Sequence, residues 1–447
     1  LIIRDLRKWI TGLAGGIVFG LGTAVVQAQN EFPLKEGDTW VMAGDSITAQ
    51  HLHTNYIEAF FYARFPKMTF CFRNSGVSGD TIPKLMERFA WDVAAWNPTV
   101  VSVELGMNDA RGYPPEKFVE NMAALLGKIR AANARPVLFS ASPVNDGSSL
   151  ANPSGGNKLL KEYAEALKIL AEKEKVPYAD QFTTLVDFWA RNKPQENIAN
   201  TLVSLKSLLA ARPDLAGAEH IKAFIEVWKK KGTQPVAMMG DAVHPGPTGQ
   251  LTMAATLLAK LNAPGLVSSA DIDGITGAVG ATAQCKIENI KTTGDVLVFD
   301  RLDDALPFPV ADDARPAATV LDTVAGLSQY TLTVSGLSAA TYDVAIDGVK
   351  VATVSATDLA KGWNMGLLDK GPIADQCRSI LQLVGAKEGL VGQWRSLSRA
   401  ITNNGSLDQQ DQLTKLTAQV KEADGKIRAV AQPKLHHFEL TPSAGAK

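Results

Sequence analysis

The sequence predicts an α/β protein built on a parallel sheet, carrying a C-terminal extension that is β-rich and then helical. Three observations lead there. Short apolar runs alternate with helix-compatible stretches over about residues 36–263, the pattern of βαβ units. Polar, glycine-containing breaks fall just after those runs, where active sites of such sheets gather. Past Pro264 the pattern changes, first to period-two alternation and then to long helical stretches. With 447 residues, 46% apolar and 20% charged, the chain has the composition of a globular protein able to bury a sizeable core, and its length suggests about two or three domains. The 45 basic and 46 acidic residues nearly cancel, which leaves no electrostatic footprint for nucleic acid.

The segment 1–28 reads as a signal peptide. Arg4, Arg7 and Lys8 form a basic start, Trp9 to Val26 is uncharged, and Val26-Gln27-Ala28 offers small residues for cleavage. Removing it leaves 42 basic against 45 acidic residues, by subtracting three and one. The expected product is secreted or periplasmic, without a membrane contact after cleavage. The first strand is Thr39–Ala43, the second Thr69–Phe72 with Asn74-Ser75-Gly76 closing it, and the third Thr99–Leu105, broken at Gly106. Pro136–Ser140 is the fourth and Val176–Ala179 a weaker fifth, with helices at Phe118–Ala132 and Lys158–Glu174 between them. Between the fifth strand and Asp241 lies a helical insert, about 191–238. Leu202, Leu205, Leu208 and Leu209 keep helical spacing there, as do Ile221, Phe224, Ile225 and Trp228. It is expected to wall one side of a pocket, to pack as a helical pair on the body, or both.

The breaks carry the chemistry. Gly44-Asp45-Ser46 presents a hydroxyl at a helix start, and a serine needs a base that is itself oriented by a third group. Of six histidines, His244 stands out, because Asp241-Ala242-Val243-His244-Pro245 sets a carboxylate three residues before an imidazole. One turn of that spacing can bring the carboxylate to Nδ1 and leave Nε2 for Ser46. Two more breaks, Asn74 to Asp80 and Gly106-Met107-Asn108-Asp109, follow the second and third strands.

Taken in order, these four blocks resemble those of the SGNH (GDSL-type) hydrolase family, over roughly residues 36–263. The resemblance implies a flavodoxin-like three-layer α/β/α sandwich and a Ser-His-Asp triad of Ser46, His244 and Asp241. It also implies an oxyanion hole from the N–H groups of Ser46 and Gly79 and the Asn108 carboxamide. Gly76 is a rival for the oxyanion glycine, though Ser78-Gly79-Asp80-Thr81 matches the family better. The implied activity is a serine esterase acting through an acyl-enzyme, with acetyl groups on carbohydrates as the expected substrate. A lipase or lysophospholipase with the same triad, and a non-catalytic glycan-binding protein, are the alternatives.

No G-x-S-x-G, H-E-x-x-H or phosphate-binding glycine loop occurs, and no cofactor or metal is expected. Asp271-Ile272-Asp273-Gly274 reads as a turn, since EF-hand spacing does not follow. His51 and His53 are expected to turn away from Ser46 into surface or supporting positions. In the extension, residues 265–355 read as a small antiparallel β unit with a hairpin turn at Asp347-Gly348, followed by helices over 372–400 and 407–430. Leu413, Leu416, Val420, Ala423, Ile427 and Val430 form a narrow stripe for packing on another helix. Cys285 and Cys377 are candidates for a disulfide in an exported protein, with Cys71 buried in its strand.

Overall fold

A computed structural model describes residues 34–193, 196–230 and 236–443; the expected signal peptide lies outside the described residues. Five parallel strands form the first sheet: β1 (Thr39–Gly44), β2 (Cys71–Gly76), β3 (Val100–Glu104), β4 (Arg135–Phe139) and β5 (Tyr178–Ala179). Their order is β2-β1-β3-β4-β5, the doubly wound flavodoxin-like arrangement, in which the strand order reverses beside β1 and opens a crevice at the carboxyl ends. The period of two sorts the side chains between faces. Trp40 and Met42 of β1 join the core beneath α2 (Leu52–Arg64), whereas Val41 and Ala43 join Ile82, Phe118 and Leu167 on the opposite face. Helices therefore cover both sides, and the predicted three-layer sandwich is what forms.

After β5 the chain enters the helix Gln181–Arg191 and then the insert helices Glu196–Ala211 and Ala218–Lys230. Ile225 of the insert is buried, while Val203, Leu208 and Phe224 remain exposed at 64%, 40% and 44%; the insert leaves much of its apolar surface facing outward. The helix Pro247–Lys260 then returns to the body and buries Leu251, Ala254 and Leu258 against the sheet.

The extension holds two more sheets. One orders the strands Trp363–Asn364, Gln329–Ser335, Leu266–Asp273 and Val279–Ala283; the other orders Val349–Ser355, Thr341–Ile346, Leu435–Pro442, Val296–Asp303 and Cys285–Thr293. Two expectations need correction. Gln329–Ser335 pairs in parallel with Leu266–Asp273, so the β unit is mixed, because helical turns between the two strands let the chain return in the same direction. The strand Leu435–Pro442 enters the middle of the second sheet from the far end of the chain. The hairpin forms at Asp347 and Gly348, both at positive φ (50° and 78°). The turn expected at 271–274 falls later: Asp271–Asp273 complete the strand Leu266–Asp273, and Asp273 Oδ1 accepts from Ile275 N and Thr276 N at 2.9 and 2.8 Å to hold the turn at 274–276.

The cysteines do not pair. Cys71, Cys285 and Cys377 are all free thiols. Cys285 Sγ lies 3.2 Å from Ser269 O at the edge of one sheet, while Cys377 Sγ lies 3.6 Å from Pro307 O within a helix. Cys71 is half-buried rather than enclosed.

The helices Pro372–Asn404 and Leu407–Val430 pack together through the expected stripe, of which Val420 and Ile427 are fully buried. Both also lie on the first sheet's side of the molecule. Asp424 pairs with Arg73 at 2.7 Å, Lys387 with Glu58 at 2.8 Å, and Trp394 stacks on Trp96 at 3.6 Å between ring centroids. Phe308, Tyr330 and Phe438 share one buried cluster with Phe60, Phe61 and Leu257. No helix among the described residues is long and apolar enough to cross a membrane.

Candidate active site

Ser46 opens the short helix α1 (Ser46–Ala49) directly beyond the end of β1. Asp45 caps that helix, its Oδ1 accepting from Ile47 N at 2.9 Å. This strand-to-helix turn holds the hydroxyl at the carboxyl edge of the sheet, half-exposed. Below it, Glu104 at the end of β3 gathers three helices. Its carboxylate accepts from Thr48 Oγ1 (3.2 Å) and Gln181 Nε2 (2.7 Å) and pairs with His53 Nε2 (2.9 Å).

His244 arrives from the other end of this region, on the turn before the helix Pro247–Lys260. That turn closes on itself, with Gly240 N bonding to His244 O at 2.8 Å and Gly246 N to Met238 O at 2.9 Å. Asp241 Oδ1 accepts from Val243 N and His244 N, both at 2.7 Å, so the carboxylate is fixed by its own loop. Its Oδ2 lies 2.8 Å from His244 Nδ1, and His244 Nε2 lies 2.8 Å from Ser46 Oγ. The two backbone N–H donors and the imidazole hold Asp241 down at about 2, which keeps it an anion across the neutral range. The carboxylate is exposed, at 59%, while the imidazole is 31% exposed.

Gly79 and Asn108 lie on the two neighbouring breaks. Gly79 has φ +74°, a left-handed conformation that favours glycine. Gly76 is needed for its size instead. A Cβ there would lie 2.3 Å from Ala49 N, so its small side lets β2 end against α1. Asn108 heads a short 3₁₀ turn, Asp109–Arg111, yet its side chain does not cap it. The carboxamide Nδ2 instead donates to Asp80 O at 3.1 Å and lies 3.5 Å from Asp45 Oδ2.

Sequence reasoning missed the buried acids around this site. Asp45, Asp80, Glu104 and Asp109 are all buried. Burial first, then the Glu104 charge, pushes Asp45 up to about 7; burial pushes Asp109 up to about 6 and also raises Asp80 against the pull of Arg88. Three of the four sit in a block read for its neighbour, Asp45 beside Ser46, Asp80 beside Gly79 and Asp109 beside Asn108, whereas Glu104 ends the third strand. Their adjacency was the available signal. Of the two positions expected for His53, surface or supporting, it takes the supporting one: it is buried, with Nδ1 2.6 Å from Gln250 Oε1. Burial would lower its affinity for a proton, yet the Glu104 carboxylate overrides this and raises it.

A groove runs beside the Asp241 turn. Asn145, Asp146, Lys193, Met239 and Asp241 are among its lining residues, and the insert reaches it through Lys193 and Ala237. Among the described residues no cluster of three or more His, Cys, Asp or Glu is arranged to hold a metal ion.

A doubly wound α/β sheet with a linked Ser, His and Asp at its carboxyl edge is the frame on which hydrolases of several families are built. Residues 42–251, just under half of the chain, match the GDSL-like lipase/acylhydrolase family. Thioesterase 1/protease 1/lysophospholipase L1 of Escherichia coli (strain K12) is 36% identical over 76 residues, 17% of this chain and 36% of that protein. The chain thus matches about a third of the length of that curated relative. Among solved structures, a gut microbial diltiazem-metabolizing enzyme superposes with a TM-score of 0.70 at 20% identity, covering 93% of this chain and 100% of the other. The fold is therefore shared over nearly the whole chain, extension included. An acetylxylan esterase from Geobacillus stearothermophilus covers 51% of this chain and 96% of its own at 19% identity, with a TM-score of 0.37, a likeness too low to bear on fold or substrate.

Proposed function

We propose that the protein is an exported serine esterase that cleaves short acyl groups, acetyl above all, from carbohydrates. The observation that carries the hydrolytic reading is the unbroken chain from Asp241 Oδ2 through His244 to Ser46 Oγ, with 2.8 Å at each link. In the proposed mechanism, Nε2 of neutral His244 takes the Ser46 proton as Oγ attacks the ester carbonyl. Asp241 keeps the Nδ1 proton in place and stabilises the imidazolium. The tetrahedral oxyanion is received by the N–H groups of Ser46 and Gly79 and by Asn108 Nδ2. His244 then protonates the leaving alcohol. Water, deprotonated by the same nitrogen, hydrolyses the acyl-enzyme.

The carbohydrate reading rests on the groove. Asn145, Asp146 and Lys193 beside the Asp241 turn offer hydrogen bonds to sugar hydroxyls, and export through the 1–28 segment would bring the enzyme to polymers outside the cell. A second reading, a lipase or lysophospholipase, draws on the exposed Val203, Leu208 and Phe224 of the insert and on the name of the Escherichia coli relative. The experiment compares p-nitrophenyl acetate, butyrate and decanoate, together with acetate release from acetylated xylan and pectin. The proposal expects the acetyl ester to be preferred and acetate to be released. Preference for decanoate without acetate release selects the lipase reading, and failure of a fluorophosphonate to label Ser46 removes both.

A further inference from the structure

A closed group of four charges, buried or nearly so, lies under the loop between β2 and the helix Ile82–Asp92, and none of them enters the hydrolytic steps above. Arg395, from the long helix Pro372–Asn404 of the extension, spans two partners. Its Nε and Nη2 hold the two oxygens of Asp92 at 2.5 and 2.8 Å, and its Nη1 donates to Gly76 O at 3.0 Å. Asp92 is fully buried and also accepts from Ser75 Oγ at 3.0 Å and from Arg88 Nη1. Arg88 carries the connection onward, with Nη2 2.6 Å from Asp80 Oδ2 and 2.8 Å from Ser75 O. The Asp80 carbonyl is the group that receives Asn108 Nδ2, at 3.1 Å.

We propose that Arg395 is a positioning residue for the oxyanion hole, holding the 76–80 loop at both ends so that the Gly79 N–H and the Asn108 carboxamide keep their aim. This rests on the reading of Gly79 and Asn108 as oxyanion donors. The charge count supports it. Two guanidinium groups and two carboxylates balance in the intact cluster. Without Arg395, Asp80 and Asp92 share the single cation Arg88, and Gly76 O loses its side-chain donor. A buried cluster left one negative charge in excess rearranges or takes up a proton, and either response releases one end of the loop. The planar fork matters as well, because three bonds in two directions fit a guanidinium and not an ammonium. The extension thereby becomes part of the scaffold of a site whose reacting atoms all lie outside it.

The test uses the full chain with Arg395→Gln, Arg395→Lys and, as a control, Asp424→Asn, which breaks the buried ion pair that the extension makes with Arg73 of β2. Three quantities are read: the rate at which a fluorophosphonate labels Ser46, kcat and KM for p-nitrophenyl acetate, and Tm. A shift of the order of 1 Å in a catalytic group costs about 100-fold, so Arg395→Gln should lower kcat and labelling roughly 10- to 100-fold, with KM within about threefold. Arg395→Lys should keep more stability than rate, and Asp424→Asn should lower Tm while leaving the rate at 25 °C near wild type. Folded Arg395→Gln protein with kcat within about twofold of wild type overturns the proposal, as does a rate loss in Asp424→Asn equal to that of Arg395→Gln. If Arg395→Gln does not fold, Arg395→Lys at the wild-type rate overturns it instead. An unlabelled wild-type Ser46 sinks the esterase reading and this inference with it, whereas labelled wild type beside an unaffected variant sinks the inference alone.

Discussion

Lys387→Met should destabilise the protein by about 3–5 kcal/mol, the usual cost of removing one partner from a buried ion pair. Lys387 is fully buried on the long helix of the extension, with Nζ 2.8 Å from Glu58 Oε2, 2.8 Å from Phe72 O, and in contact with Glu388. Burial drives Glu58 towards its neutral form. Glu388 is different: burial opposes its charge, but the Lys387 ammonium overrides that and keeps it ionised. Methionine fills most of the lysine volume, so the change deletes a charge more than it opens a cavity. It leaves Glu388 an anion that is 4% exposed. At roughly 2 °C per kcal/mol for a chain this large, Tm should fall by about 6–10 °C. Calorimetry and urea unfolding followed by circular dichroism both measure it. Adding Glu388→Gln should recover much of the loss, because the orphaned charge goes with it. A single variant within about 1 kcal/mol of wild type, or a double variant less stable than the single, would refute this account of how the extension is held.

Four further outcomes follow from the site. Ser46→Ala and His244→Ala should each lower kcat by roughly 10⁶-fold, with the double variant little worse than either; near-additive losses would mean that the two residues do not act as a unit. Asp241→Ala should lower kcat less than His244→Ala does, because the carboxylate orients and stabilises the ring rather than transferring the proton, and a loss as large as that of His244→Ala would contradict this division of roles. Asn108→Ala should lower kcat by about 10²–10³-fold at little change in KM, a split that steady-state kinetics reads directly. Asp45, pushed up to about 7 from the usual 3.8, keeps a proton in the folded state that the unfolded chain releases. Its contribution to stability therefore declines as pH rises from about 4 to 7, by up to ~1.4 kcal/mol per pH unit, and is level above that. Asp45→Asn should flatten that decline in Tm, and parallel wild-type and variant curves would exclude the effect.

The features legible in the sequence are those set by near neighbours. Alternation along Trp40-Val41-Met42-Ala43 assigns two opposite faces, because side-chain direction in a strand repeats every two residues. The Asp241-x-x-His244 spacing already contains the turn in which the carboxylate meets Nδ1, since the Asp side chain bonds backbone only two and three residues ahead. The Asp347-Gly348 hairpin and the 413–430 stripe are local in the same sense. The meeting of Ser46 with His244 across 198 residues was legible only because the four blocks resemble a family, since no periodicity encodes a contact at that range.

Tertiary structure alone decided the rest. Lys387, Arg395 and Asp424 look like ordinary solvated charges of amphipathic helices, yet each is buried or nearly so against Glu58, Asp92 or Arg73. Whether a charge faces water depends on which surface its helix meets, and that surface is made by residues some 300 positions away. The parallel return of Gln329–Ser335, the late strand Leu435–Pro442 and the separation of Cys285 from Cys377 share this origin. Strand period fixes which face a side chain takes, but partner and direction are chosen by how the sheets close around a common core. The same holds for Asp45: the structure makes it the cap of α1, and burial together with the Glu104 charge at the end of β3 turns that cap into a carboxyl poised near neutral pH.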